Sequence, residues 1–242
     1  MVVPCFNEGN NIDNTVHDIL AEAGALDMDL GVLLIDDGST DNTRDRIEAL
    51  KSTDDRVHVL VHERNRGVGT TVLDGVAWAR PDDWVTIVPG DNEFVFKSIH
   101  NFLRVREQYD LILGFFQNPI VRTLPRRVAS EMFVKATNFF YGWRFRYLNG
   151  MYLFRARVFK NLHIISGGHA FTPELVGKAL LREPLLRIGE VPFASRGRAV
   201  GDSKAFQPRS IARALKEFYQ GHRAVSSYRD QVVSGDPDRT QG

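Results

Sequence analysis

Four short segments of this chain concentrate the groups that could do chemistry. They are Pro4-Cys5-Phe6-Asn7-Glu8, Asp36-Asp37-Gly38-Ser39-Thr40-Asp41, Arg64-Asn65-Arg66-Gly67-Val68-Gly69 and Pro89-Gly90-Asp91-Asn92-Glu93. Each follows an apolar run. Two adjacent carboxylates such as Asp36 and Asp37 are costly at the end of a buried run unless something binds them. Taken alone they also read as a turn into a capped helix. Asp91 and Glu93 stand two apart. Hard oxygen donors in an open loop suit Mg²⁺ or Mn²⁺, with diphosphate oxygens and waters completing the shell. A solvated acidic turn is the plain alternative. The glycines of Gly67-Val68-Gly69 follow the third apolar run, so they read as a turn entering a helix. A dinucleotide fold would place its glycines after the first run. That position holds Pro-Cys-Phe-Asn-Glu, which argues against an NAD-type site.

Such segments must be held by a scaffold, and the pattern supplies one. Met1 to Val3 reads as a strand that stops at Pro4. Asn11 to Ala25 reads as a helix with Asn11 as N-cap and Ile12, Val16, Ile19 and Leu20 on one face. Gly31 to Ile35 is a continuous apolar run, as in a parallel strand covered on both faces. Thr40 or Asp41 can cap a helix through Leu50. Val57–Val61, Trp84–Val88 and Leu111–Leu113 read as further strands. Thr70–Ala79 and Phe96–Arg106 read as helices. This alternation predicts an α/β class with a mostly parallel sheet flanked by helices. Ligands of such sheets bind beyond the carboxyl ends of the strands, where the four segments fall.

The second half differs. Residues 115 to 159 hold eight of the sixteen Phe, interleaved with Arg122, Arg126, Arg127, Lys135, Arg144 and Arg146. From Gly189 onward the chain is basic, and Ile211, Leu215 and Phe218 lie at helical spacing. The organisation expected is one catalytic domain over 1–229, with residues 1–115 and 116–229 as its two halves, and a disordered tail over 230–242.

Composition sets the outer bounds. The chain has 242 residues, 43% hydrophobic and 25% charged, with a net charge of +1. Those values are ordinary for a globular protein, and no nucleic-acid partner is expected. The single Cys5 allows no intrachain disulfide and points to a reducing compartment. It reads better as a small buried residue than as a nucleophile. No run approaches the roughly 18 to 20 apolar residues of a membrane span, and no signal peptide is visible. A cytoplasmic location follows as the expectation. The chain starts inside what reads as a strand, so the first strand is short or the true start lies upstream.

As an ordered set, Val3-Pro4-Cys5-Phe6-Asn7-Glu8, Ile35-Asp36-Asp37-Gly38-Ser39-Thr40-Asp41, Asn65-Arg66-Gly67-Val68-Gly69 and Gly90-Asp91-Asn92-Glu93 resemble family 2 glycosyltransferases of the GT-A fold. The resemblance covers residues 1 to about 115. It implies a GT-A nucleotide-diphospho-sugar transferase fold, with a GDP- or UDP-sugar donor at the strand ends. It places Pro4, Phe6, Glu8 and Asp37 at base and ribose, with Asp36 sharing that role. The family's metal motif is Asp-x-Asp, often followed two residues on by Gln. Here Pro89 stands in the place of the first Asp, Asp91 in that of the second and Glu93 in that of the Gln. Asp91 and Glu93 are the implied ligands of Mg²⁺ or Mn²⁺. Arg198-Ala199-Val200-Gly201-Asp202-Ser203-Lys204 is similar to the Arg-x-x-Gly-x-Ser-Lys segment of polyprenyl-phosphate glycosyltransferases of the dolichol-phosphate mannose synthase type. Arg126-Arg127 with Ser130, and Asn149-Gly150 before Phe154-Arg155, match that group more loosely.

The expected reaction is therefore transfer of a sugar, with inversion, to a dolichyl or undecaprenyl phosphate at the cytoplasmic membrane face. A sugar hydroxyl needs a general base. A phosphate monoester is mostly ionised at pH 7, with a second pKa of about 6, and needs only cations to bring it to the donor. Asp91, Arg198 and Lys204 are the catalytic candidates. Arg122, Arg126, Arg127 and Ser203 are the acceptor-binding candidates. Met132, Phe133, Ala136, Phe139 and Phe140 give an apolar helix face beside arginine and lysine, which suits peripheral attachment to a membrane surface. A membrane-protein partner or a homo-oligomer would serve the same end. The alternative is a saccharide hydroxyl acceptor in surface polysaccharide synthesis, with Glu174 as base. Thr172-Pro173-Glu174 also reads as the N-cap, N1 and N2 of a helix.

Overall fold

The computed structural model describes residues 1–118, 122–166, 168–196 and 208–234, with backbone alone at 169 and 208–215. Among the described residues seven strands form one sheet. They are β1 (Val2–Cys5), β2 (Val32–Asp36), β3 (Val57–Val61), β4 (Trp84–Ile87), β5 (Leu111–Phe116), β6 (Tyr152–Arg155) and β7 (Ile188–Phe193). Their order is β3-β2-β1-β4-β6-β5-β7. Only β6 runs antiparallel to its neighbours β4 and β5. Among the described residues seven α-helices accompany them: α1 (Ile12–Ala25), α2 (Thr43–Thr53), α3 (Val68–Trp78), α4 (Ile99–Leu103), α5 (Leu124–Tyr141), α6 (Phe171–Arg182) and α7 (Pro208–Ser234).

The central strands are apolar on both faces because both faces are covered. Val3, Cys5, Val32, Leu34 and Ile112 pack with Ile12, Val16 and Ile19 of α1. Val2, Leu33, Ile35, Ile87 and Phe154 face the other way, onto Val72 and Val76 of α3 and Leu175, Val176 and Ala179 of α6. Alternate residues of one strand thus enter opposite cores, as the pleat requires.

Several expectations are adjusted. β1 continues through Pro4 to Cys5. The Pro4 carbonyl accepts from Gly90 N at 3.1 Å. The amide that Pro4 lacks would face that same side, toward the segment after Ile87, so the β1–β4 ladder stops at the Val2–Ile87 pair. The helix expected over Phe96–Arg106 is broken into a 3₁₀ turn at Phe96–Ser98, α4, and a second 3₁₀ turn at Arg106–Gln108. α2 begins at Thr43, and Asp41 Oδ1 accepts the Thr43 amide at 3.0 Å. α7 runs through Ser234, so the expected tail boundary at 230 falls inside a helix.

Candidate functional site

Register brings the loops together. Cys5 pairs with Asp36, and Asp36 with Val61. The next residues of the three strands, Phe6, Asp37 and His62, therefore leave the sheet side by side. β1 lies between β2 and β4, where the strand order reverses, and that is where open α/β sheets form a crevice.

The first loop is clasped to the second. Asn7 takes a left-handed backbone, φ 58°. Its amide donates to Ser39 Oγ, and its Oδ1 accepts from Thr40 N. Glu8 N donates to Thr43 Oγ1 at 2.8 Å, and Gly9 N to Asp41 Oδ2 at 3.2 Å. Asn11 is the N-cap of α1, as expected, but its side chain makes no cap hydrogen bond and donates instead to Glu8 Oε2. This pinning leaves the Phe6 ring 44% exposed at the crevice, an open face for a base to stack on. Pro4 lies behind it, half-buried in β1.

Asp36 and Asp37 are both buried, and both have internal work. Asp36 Oδ1 accepts from Ser39 N at 2.9 Å and closes the turn. Asp37 accepts from Arg66 N at 2.8 Å and Gly67 N at 2.9 Å, and its Oδ1 lies 2.8 Å from His62 Nδ1. On its far side His62 Nε2 faces Asp74 Oδ2 at 3.1 Å, which also takes Arg66 at 2.7 Å. His62 is thus a positioning residue that the sequence analysis missed. Its only signal was its place, one residue past a strand end. Gly67-Val68-Gly69 does open a helix, as expected. Gly67 is the N-cap of α3, and a Cβ on Gly69 would meet Ile164 Cδ1 at 2.4 Å. Cys5 is buried, which pushes its thiol far above the ordinary range. Its reading as packing is the one the structure supports.

The fourth loop carries the metal candidates. Asn92 is left-handed, φ 54°, and turns Asp91 back so that its Oδ1 accepts from Glu93 N at 3.1 Å. Glu93 is 4% exposed. Its Oε2 takes Arg126 at 2.7 Å, while its Oε1 is buried and accepts no hydrogen bond among the described residues. A buried carboxylate oxygen without a donor is the kind of ligand a hard divalent cation completes, so this loop fits Mg²⁺ or Mn²⁺. Among the described residues no three His, Cys, Asp or Glu gather around one point. The loop can therefore supply two carboxylates, and the remaining ligands must come from elsewhere. Arg196 braces the loop, donating to Asn92 Oδ1 and to the Phe94 carbonyl, both at 3.0 Å, and to Asp18. In the sequence it was one cation in a basic block.

The acceptor candidates that are described lie at the head of α5. Arg126 and Arg127 occupy its first turn, which has no acidic residue. Positive charge there opposes the helix dipole, an arrangement that an anion would relieve. Arg122 lies over the Phe116 ring at 4.6 Å and near the Tyr147 hydroxyl at 3.4 Å. The Nε atoms of Arg122 and Arg127 are buried with no acceptor among the described residues. Arg198, Ser203 and Lys204 lie outside the described residues.

Strand-end loops of this kind on an α/β sheet are found in a known family. The family model for glycosyl transferase family 2 matches residues 1–172. The chain belongs to glycosyl transferase family 2. Among curated family members, the chain is 28% identical over 180 residues to glycosyltransferase AglJ of Haloferax volcanii, covering 72% of this chain and 56% of that protein. It is 26% identical over 214 residues to dodecaprenyl-phosphate galacturonate synthase of Rhizobium johnstonii, covering 84% and 60%. With glycosyltransferase GlyG of Streptococcus pneumoniae it shares 28% over 121 residues, 49% and 38%. The chain thus spans 38 to 60% of the length of these relatives. The fold matches glucosyl-3-phosphoglycerate synthase of Mycobacterium tuberculosis in complex with Mn²⁺, UDP and phosphoglyceric acid. The TM-score is 0.63 at 19% identity, covering 90% of this chain and 77% of that one. The α/β sheet with flanking helices is a GT-A fold, as expected.

One candidate is placed in a different role. Glu174 is neither at N2 of its helix nor open to substrate. α6 begins at Phe171, and Glu174 is wholly buried. Oε1 meets Lys178 Nζ at 2.6 Å and Ile165 N at 3.1 Å, and Oε2 meets Ser166 N at 2.8 Å. It closes the 163–166 loop onto α6.

Proposed function

We propose that this chain is the catalytic domain of an inverting glycosyltransferase that moves a sugar from a GDP- or UDP-sugar to a polyprenyl phosphate. The observation that carries the acceptor class is the contrast between Glu174 and the head of α5. Glu174, the main candidate for a general base in the second half, is sealed in an ion pair. Facing the donor loop instead are arginines, with Arg126 already on Glu93. A hydroxyl acceptor needs a base, whereas an ionised phosphate needs cations. A relative named dodecaprenyl-phosphate galacturonate synthase, and fold neighbours bound to UDP, support the same reading.

In this reaction Phe6 stacks on the base, and Glu8 and the Asp37–His62 loop hold base and ribose. The acceptor phosphate lies on Arg122, Arg126, Arg127 and Ser203, with Arg198 and Lys204 neutralising the facing phosphates. One phosphate oxygen attacks the anomeric carbon. The bond from that carbon to the diphosphate oxygen breaks on the opposite face, and the nucleoside diphosphate leaves with the electron pair. No proton has to move, because the nucleophile is already ionised. Asp91 and Glu93 would hold a Mg²⁺ or Mn²⁺ ion, which would supply charge neutralisation to the diphosphate.

α5 serves the lipid. Leu124, Val128, Met132 and Phe139 form an exposed apolar stripe along it, with Arg126, Arg127 and Lys135 alongside. That pattern suits a helix lying in the headgroup region. No helix among the described residues is long and apolar enough to cross a membrane.

The test is a transfer assay. The protein is incubated with Mg²⁺ or Mn²⁺, a short-chain polyprenyl phosphate and a panel of radiolabelled GDP- and UDP-sugars, and label is counted in the organic phase. Label from one donor, abolished by EDTA and lowered at least ~100-fold in Asp91→Ala, is the expected result. Nucleotide binding with no organic-phase label from any donor would sink the lipid-phosphate acceptor.

A further inference from the structure

The Glu93–Arg126 contact joins two parts of the site that act on different ligands. Glu93 belongs to the loop after β4, and Arg126 to the first turn of α5. The Glu93 side chain is 5% exposed and the Arg126 side chain 28%. Here a full negative charge is buried, and among the described residues Arg126 is its ion-pair partner. The same guanidinium stands where the helix dipole disfavours it unless an anion is near.

We propose that the Glu93–Arg126 pair is a charge latch that couples divalent-cation loading to binding of the anionic acceptor, so that each raises the affinity for the other. With neither ligand, Arg126 compensates Glu93. A cation bound at the buried Oε1, which has no hydrogen-bond donor among the described residues, takes over that compensation and frees the guanidinium for a phosphate. A phosphate arriving on Arg126 draws it away and leaves Glu93 a buried, unpaired carboxylate. That state is costly, and a dication relieves it. The coupling must be reciprocal, because it is one free energy read from two sides.

This inference rests on the metal and acceptor proposed above. The test is titration of the full chain with Mn²⁺, following free Mn²⁺ by electron paramagnetic resonance, with and without saturating geranyl phosphate. Wild type is expected to bind Mn²⁺ about fivefold or more tightly when geranyl phosphate is present, the lower end of ordinary coupling free energies. Arg126→Ala is expected to bind Mn²⁺ more tightly than wild type from the start and to gain nothing further from geranyl phosphate. Arg126→Lys, which keeps the charge, is expected to follow wild type and shows that the helix has not simply been damaged. An Arg126→Ala protein that binds Mn²⁺ no more tightly than wild type overturns the latch. So does a geranyl phosphate gain that persists in that variant, since it would reflect direct chelation. Wild type with GDP and with UDP is the separate control. If neither brings Mn²⁺ to the protein, the metal reading itself fails and the latch with it.

Discussion

Glu174 and Lys178 stand one turn apart on α6 and share a 2.6 Å ion pair, with the carboxylate wholly shielded from solvent. The pair is a structural clamp, since Lys178 also donates to the His163 carbonyl and Glu174 takes the amides of Ile165 and Ser166. Removing one member leaves the other as an uncompensated buried charge. Glu174→Gln should therefore lower unfolding stability by about 3 kcal/mol or more. Transfer per folded molecule should stay within about threefold of wild type, where loss of a general base would cost about 10²- to 10⁴-fold. Urea unfolding and initial rates check both. A large rate loss at unchanged stability would return Glu174 to the role of base and favour a saccharide acceptor.

His62 tests the proposed donor pocket. It is one of three donors on Asp37, and the others are backbone amides of the loop that leads into α3. His62→Ala should leave Asp37 short of a partner and loosen the loop, weakening GDP or UDP binding about tenfold. Calorimetry with each nucleotide decides. Unchanged affinity would mean that the two backbone amides alone hold Asp37.

Gly38 is where the second and third loops touch. Its φ is +73°, and a Cβ there would sit 2.5 Å from the Arg64 carbonyl carbon and 2.6 Å from Asn65 N. Both are backbone atoms, so the 64–67 loop itself must move. Gly38→Ala should lower stability by about 1–3 kcal/mol through strain at this conformation. It should also remove most of the thermal shift that GDP or UDP gives the wild type. A full nucleotide shift in the variant would show that the 64–67 loop is not part of the pocket.

The opposite end of the sheet provides a test of stability apart from activity. Hydrogen bonds from the Arg187 side chain and backbone, with Arg157 beside them, hold the Asp110 carboxyl below the usual carboxylate range. A carboxylate with a lowered native pKa stabilises fully above its unfolded value of about 3.9 and loses that contribution as pH falls through the native value. Asp110→Asn should melt below wild type at pH 7, and the gap should close as pH falls below about 4. A gap that persists at low pH would assign the loss to packing. Turnover at pH 7, measured below both melting temperatures, should be unaffected.

The local half of this protein was legible in its residues. The parallel strands β1 to β5, the helices α1 and α3 and the four loops at the strand ends follow from short-range patterns, because hydrophobic period and turn chemistry act over a few residues. β7 was not legible. Its Ile188-Gly-Glu-Val-Pro-Phe run is interrupted by Gly and Pro, yet it pairs with β5 over six residues. The same holds for the break in the helix after Phe96, where burial of Phe96, Ile99 and Phe102 overrides a continuous helical turn.

The sequence by itself determined the family, the α/β class and the set of polar residues at the carboxyl edge of the sheet. Only the tertiary structure decided what those residues do for one another. Glu174 became a clamp, His62 a support for Asp37, Arg196 a brace and Arg126 the partner of Glu93, across separations of 4, 25, about 100 and 33 residues. A charge in a sequence shows only that it must be solvated or paired. Which of the two occurs, and with whom, depends on burial, and burial is set when the strands choose their order in the sheet.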